Sequence, residues 1–343
     1  MTEARIDLHT HTSHSEDRER ISLPHGASVT MPFHPTLAPA EAYDLALERG
    51  MTHVTFTDHD TISGCLELAE RHPRPDRFLF GEEVTCYYQG IPLHVGVFGL
   101  TEADHRQLHA GAEHAERETR CLRWNLPELL RYCEDRKLAY ELKHPLWARN
   151  GLRFSRQQFI DLFEMFPLVE GINGTRHRWL NELGVDLAQR YGRPHVALTA
   201  GSDSHTDNIG RCYTITRGET PAEVLASLRA GQARPMGPHG SHRLLEYDTR
   251  EVIRANVTGR AGQFITLADD QLQELPALAT EMLSLVLTGV VAFGVVQEFS
   301  RQRSLAREVA ELFNAELESG VFDARTLAIA DAGRALHGHV RRD

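Results

Sequence analysis

The chain has 343 residues and 41% hydrophobic content, enough for a sizeable core in one large domain or two modest ones, which excludes a disordered or fibrous protein. A surplus of 48 acidic over 37 basic side chains gives a net charge of -11, which repels a polyanion and counts against long nucleic acid as a partner. The longest apolar run, Leu283 to Val296, falls short of the roughly twenty residues a bilayer crossing needs and is read as a core helix. The start, Met1 to Arg5, lacks the apolar stretch of a secretory signal, so a cytoplasmic protein with no membrane contact is expected. Cys65, Cys86, Cys121, Cys133 and Cys212 contain no CxxC pair and read as reduced thiols.

Short β-branched runs alternate with segments of helical period, the pattern of strands joined by crossover helices into a parallel sheet or barrel. Seven strands are expected near residues 5–9, 53–57, 78–84, 92–99, 138–143, 168–172 and 196–200, with a βα succession throughout. Helical spacing marks residues 40–49, 62–71, 102–119, 126–136, 155–166 and 178–191. After His205 come a strand (212–216), a helix (221–230) and a Gly/Pro/His-rich connector (234–242), which sets a boundary between residues 1–240 and 241–343. The remainder reads as mostly helical, with Leu305, Val309 and Phe313 along one face.

The histidines are the anomaly, 20 of them, several grouped with Asp and Glu. Period-two geometry puts His9 and His11 on one side of the first strand's end. His59 sits among Asp58 and Asp60 after the second strand, and Glu83 closes the third. His94 lies in the fourth segment, His144 follows the fifth, and Asp203 and His205 follow the seventh. In a βα barrel the C-terminal strand ends converge on one face, where active sites are built. Six histidines with carboxylates suit Zn, Mn or Fe rather than Mg or Ca. At about four ligands per ion, with a bridging carboxylate, the set implies two or three divalent ions. Clustered cations clamp both oxygens of a phosphoryl transfer and generate hydroxide, so phosphoester hydrolysis is the expected chemistry.

Asp7-Leu8-His9-Thr10-His11, Thr57-Asp58-His59-Asp60-Thr61, Gly81-Glu82-Glu83-Val84-Thr85, His144-Pro145 and Gly201-Ser202-Asp203-Ser204-His205 together resemble the motifs of the PHP (polymerase and histidinol phosphatase) superfamily. The resemblance covers about residues 5 to 240 and implies a distorted (βα)7 barrel, an α/β fold, carrying up to three metal ions and phosphoesterase activity, with a mostly helical C-terminal region behind it. It implies His9, His11, Glu83 and Asp203 around one ion, and Glu83 as a bridge with His94 and His144 around the second. His59 and His205 join an acid of the first loop on the third, either Glu16 or Asp17, with His14 as another candidate. His59 and His205 are also the candidate catalytic imidazoles. The long gap between His11 and His59 reads as an extra loop near the metal mouth, either a substrate gate or a plain surface insertion.

Lys143, Arg149, Arg176 and Arg211 are candidates to hold a non-bridging phosphate oxygen, and His177 is a candidate acid. Asp58 and Asp60 either orient ligand imidazoles or cap the next helix. The reading is a metal-dependent phosphoesterase for a small phosphorylated metabolite, a nucleotide or sugar phosphate. Trimming of short oligonucleotides from the 5' end is the enzymatic alternative, and a non-catalytic metal- or partner-binding barrel is the alternative of another class. The apolar helix from Met282 to Val296 either packs on the barrel or forms a homo-oligomer interface.

Overall fold

A computed structural model describes residues 2–15, 18–22, 28–32, 34–72, 76–110, 125–147, 154–257 and 277–313; for 18–22, 28–32, 253, 256, 257 and 277–294 it describes the backbone alone. In chain order the first half comprises β1 (Glu3–Ile6), β2 (Arg18–Ser22), β3 (Ser28–Pro32), α1 (Pro39–Glu48), β4 (Val54–Phe56), α2 (Ser63–Arg71), β5 (Phe78–Tyr88), β6 (Ile91–Phe98), α3 (Glu102–Leu108) and α4 (Leu126–Arg136). There follow β7 (Ala139–Leu142), α5 (Arg156–Met165), β8 (Leu168–Asn173), α6 (Arg178–Tyr191), β9 (Ala197–Gly201), β10 (Tyr213–Arg217), α7 (Pro221–Arg229), β11 (Arg234–Met236), α8 (His242–Val257) and α9 (Ala277–Phe313). All seven expected strands are present. The expected helix over 102–119 is seen as α3, its remainder from residue 111 lying outside the described residues.

The main sheet is six-stranded, in the order β4-β5-β6-β7-β8-β9. It is not βα throughout. β5 and β6 form an antiparallel hairpin, and β6 also runs antiparallel to β7, while β4/β5, β7/β8 and β8/β9 are parallel. The hairpin turns on Gln89 and Gly90, both at positive φ (50° and 83°), the two-residue geometry whose twist suits antiparallel strands. Asn or Asp before glycine would have announced it. Gln-Gly does not, and the repeated βα pattern hid it. β1 pairs antiparallel with β10, and β10 with β11, so part of the expected connector is a strand.

Beyond β1 the chain continues between the ends of β9 and β4. Asp203 N donates to His9 O (2.7 Å), His11 N to Ser204 O (3.1 Å), and Thr57 N to Thr10 O (2.8 Å), which closes the curled sheet at its rim. Gly201 is required here: a Cβ at this position would lie 2.2 Å from the Cβ of His9, so only glycine admits the first strand this close to β9.

Inside the curl, Ala4, Ile6, Leu79, Phe98, Ala139, Leu168 and Ala197 pack with Val224 and Leu228 of α7, which plugs the end opposite the rim. Outside, α4, α5 and α6 pack on the sheet through a larger core that takes in Leu305, Val309 and Phe313 of α9, spaced four apart as expected for one buried face. Each such side chain stabilises by about 1.5–3 kcal/mol. The insertion between His11 and His59 contains the antiparallel β2–β3 ribbon. Its return lies at the rim, with Thr36 N donating to His205 O (2.9 Å) and Ser13 N to Leu37 O (2.8 Å). Among the described residues no helix is long and apolar enough to cross a membrane.

Candidate metal centre

The rim gathers His9 and His11 from the extension of β1, His59 after β4, Glu83 in β5, His94 in β6, His144 after β7, and Asp203 and His205 after β9. Because β6 is antiparallel, His94 reaches the rim from the start of its strand rather than its end, paired in register with Thr85. The side chains are buried, His59 least so at 15% exposed. At the centre lies the Glu83 carboxylate. Its Oε1 is 2.8 Å from His94 Nδ1 and 3.0 Å from His144 Nε2. Its Oε2 is 3.0 Å from His9 Nε2 and 3.3 Å from both His11 Nε2 and His59 Nδ1. Asp203 Oδ1 adds a second carboxylate oxygen 3.4 Å from the Nε2 atoms of both His9 and His11. The His205 ring lies 4.5 Å from that of His11.

Backbone strain helps to aim these groups. His144 (φ 24°) and Asp203 (φ 52°) occupy the left-handed region that non-glycine residues avoid, a cost of about 1–3 kcal/mol each that the surrounding hydrogen bonds must offset. His144 N donates to Glu170 Oε2 (2.7 Å). Asp203 Oδ2 accepts from Asn173 Nδ2 (3.1 Å) and Thr175 Oγ1 (2.9 Å). Glu170 Oε1 lies 2.8 Å from His9 Nδ1, an arrangement that leaves Nε2 directed at the cluster. Glu170 is therefore the carboxylate that orients an imidazole. Asp58 and Asp60 are held by backbone and threonine donors, and neither stands at the N-cap of α2. Asp58 accepts from Thr12 N and Oγ1, Asp60 from Thr85 N, and the residue that caps α2 is Ile62. The signal for Glu170 was a lone acid in the apolar strand Leu168-Val169-Glu170-Gly171-Ile172.

Electrostatics follow from the packing. Burial alone would raise the Glu83 carboxyl, but His9, His59 and His94 outweigh it and hold the group well below its ordinary range. Burial would likewise lower His9, yet Glu83 and Asp203 raise it well above the usual imidazole value. Burial pushes His11 down to about 3 and His144 to about 4, so both imidazoles are neutral and able to donate lone pairs. His11 Nε2 and His94 Nδ1 are buried without an aligned hydrogen bond, which is costly unless something else satisfies them. A mixed set of imidazole and carboxylate donors with such orphaned nitrogens fits divalent transition ions. His9, His11 and Glu83 have donor atoms within 4.8 Å of one another, as do His59, Glu83 and His94, His9, His144 and Asp203, and His11, His59 and His205.

The other expected residues fare differently. Glu16, Asp17 and Arg149 lie outside the described residues. His14 is turned to Glu67 of α2, its Nε2 2.7 Å from Oε2. The Lys143 ammonium is fully buried and donates to Leu8 O (2.7 Å) and Glu141 Oε2 (2.9 Å), which places it in the floor beneath the cluster. Thr199 Oγ1 donates to the same Glu141 carboxylate. His177 caps α6 and lies against Trp179 with ring centroids 3.7 Å apart. Arg211 is exposed before β10, with no contact to the cluster among the described residues. Arg176 does reach the centre, its Nη2 3.7 Å from Asp203 Oδ2 and its guanidinium over the Trp147 ring at 5.6 Å. A small cleft lined by His144, Trp147, Glu170 and Arg176 opens there.

Fold and site define an α/β protein with a curled sheet whose rim carries a histidine–carboxylate cluster suited to divalent metal. Residues 178–233, which run from α6 to the residue before β11 and include Asp203 and His205, match the PHP-associated family model, in line with the PHP resemblance of the Gly201–His205 motif. No curated protein matches. Among solved structures, a protein from Bifidobacterium adolescentis assigned as a metal-dependent phosphoesterase is similar at 16% identity, covering 58% of this chain and 87% of its own, with a TM-score of 0.42. An amidohydrolase from Chromobacterium violaceum with bound sulfate is similar at 17% identity over 60% of this chain and 89% of its own, with a TM-score of 0.43. A lesion-specific endonuclease from Pyrococcus furiosus is similar at 15% identity over 68% of this chain and 58% of its own, with a TM-score of 0.44.

Proposed function

We propose that the protein is a metal-dependent phosphoesterase acting on a small phosphorylated metabolite such as a nucleotide or a sugar phosphate. The observation that carries the reading is the division of labour in Glu83, whose two oxygens face separate groups of imidazoles, two on Oε1 and three on Oε2. A carboxylate so placed is built to bridge cations. Two or three divalent ions bound there would supply a hydroxide at neutral pH and offset phosphate charge.

The chain's own residues do the rest. Glu170 keeps the His9 imidazole oriented, and Asn173 and Thr175 do the same for the Asp203 carboxylate. Arg176, fixed over Trp147 beside Asp203, presents a guanidinium that can take a non-bridging phosphate oxygen by charge-assisted hydrogen bonds. With two ions bound and the third position free, His59, the most exposed imidazole of the cluster, and His205 would hand a proton to the departing oxygen. The net charge of -11 favours small substrates over long nucleic acid.

Exhaustive chelation should abolish hydrolysis of an aryl phosphate, and Mn or Zn should restore it. Full activity after chelation refutes the reading. A comparison of mononucleotides with short oligonucleotides then decides between the metabolite and the 5'-end trimming activities.

A further inference from the structure

Consecutive residues of a strand point to opposite faces of a sheet. Glu83 faces the rim cluster, so its neighbour Glu82 faces out, under α3. There it meets two histidines that the rim chemistry does not use. His105 Nδ1 lies 3.0 Å from Glu82 Oε2, and His109 Nε2 lies 2.6 Å from Glu82 Oε1. The three donor atoms fall within 4.8 Å of one another, and the two imidazole centroids are 4.4 Å apart. Glu82 is fully buried, whereas the His105 and His109 side chains are 21% and 14% exposed, so solvent reaches the group at its imidazoles.

Rigid presentation favours a site over a chance meeting. His109 N donates to His105 O (3.0 Å), so the two residues are one turn apart, the spacing that brings two imidazoles together for a single ion. His105 lies in α3 and His109 is its C-cap residue; the helix is pinned by a reciprocal cap in which Thr101 and Asp104 satisfy each other's backbone N–H groups, and by Tyr132 and Arg136 of α4, which both donate to Asp104. Two imidazoles and a carboxylate, with a fourth position left for water, form the donor set of an open tetrahedral zinc site. Imidazole nitrogen in the majority disfavours Mg or Ca.

We propose that Glu82, His105 and His109 form a second metal site, on the outer face of β5, that takes one divalent transition ion of the zinc type in addition to any held at the rim. The ion would clip α3 to the sheet behind Glu83. The site does not depend on the reading of the rim as a phosphoesterase.

The test counts ions on the full chain. Protein stripped of metal and dialysed against low-micromolar zinc is assayed by plasma mass spectrometry beside the His105→Ala/His109→Ala variant. The wild type is expected to hold one more equivalent, and equal counts overturn the proposal. Should circular dichroism show the double variant unfolded, His109→Gln replaces it with the same expectation. As a second reading, Co(II) added to the Glu83→Gln protein should give a visible d–d band that disappears when His105 and His109 are also replaced. A band unchanged by that replacement equally overturns the site.

Discussion

Replacing Glu83 by glutamine removes a charge and almost nothing else. The side chain keeps its length, but one oxygen becomes an NH2 group facing two or three imidazole nitrogens now within 2.8–3.3 Å of the carboxylate. Those nitrogens need their lone pairs for a metal and gain nothing from a neutral amide. Losing one partner of a buried, fully desolvated charge cluster costs about 3–5 kcal/mol. At about 1.4 kcal/mol per tenfold, cation affinity should fall by roughly two to four orders of magnitude. The assay is a thermal melt of each protein with and without Mn. Ligand at about a hundred times its dissociation constant stabilises by about 2.7 kcal/mol, so the wild type should show a clear Mn-dependent rise in Tm and Glu83→Gln almost none, with aryl-phosphate hydrolysis lost in parallel. A variant that keeps the full rise and its kcat would refute the bridging role.

Arg176→Ala should raise KM for a phosphate monoester about 10- to 100-fold, the worth of one or two charge-assisted hydrogen bonds, with a smaller change in kcat; steady-state kinetics that leave KM unaltered would remove Arg176 from the substrate site. Gly201→Ala forces a Cβ to within 2.2 Å of the Cβ of His9, so calorimetry should show a loss of about 1–3 kcal/mol together with loss of bound metal, and an unchanged melt would contradict the close packing at the rim. Asp104 is held down to about 2: burial opposes this, but hydrogen bonds from Arg136, Thr101 and Tyr132 prevail. A carboxyl depressed in the folded state stabilises above its ordinary pKa of 3.8 and loses that contribution as pH falls towards 2. With Arg136 half exposed, about 1–2 kcal/mol remains after screening. The stability gap between wild type and Asp104→Asn should therefore be full at pH 7 and close between about pH 4 and pH 2; a gap independent of pH would refute the pairing.

The parts of this site that the sequence exposed are those where chemistry and periodicity coincide. His9 and His11 alternate along one strand, and His59, Glu83, His144, Asp203 and His205 each sit where an apolar run stops. Long-range pairing left no such mark. Nothing in Phe78 to Phe98 says that β5 and β6 turn back on each other, because the turn rests on Gln89 and Gly90 adopting positive φ. Lys143 looks like a phosphate ligand beside His144, yet the pleat points it into the floor towards Glu141 and Leu8. Glu170 and the Glu82, His105 and His109 group escaped notice because their meaning lies in partners distant in sequence, 161 positions away in the case of Glu170 and His9.

In the proposed function, side chains from His9 to His205 share ions in one place. Anomalous diffraction from crystals of the Mn- or Zn-loaded protein, collected on both sides of the metal edge, measures this directly. Peaks are expected at the rim, each about 2.0–2.3 Å from donor atoms, with Glu83 contacting two of them. Metal found bound elsewhere, with the rim cluster free of anomalous signal, would contradict the proposed function.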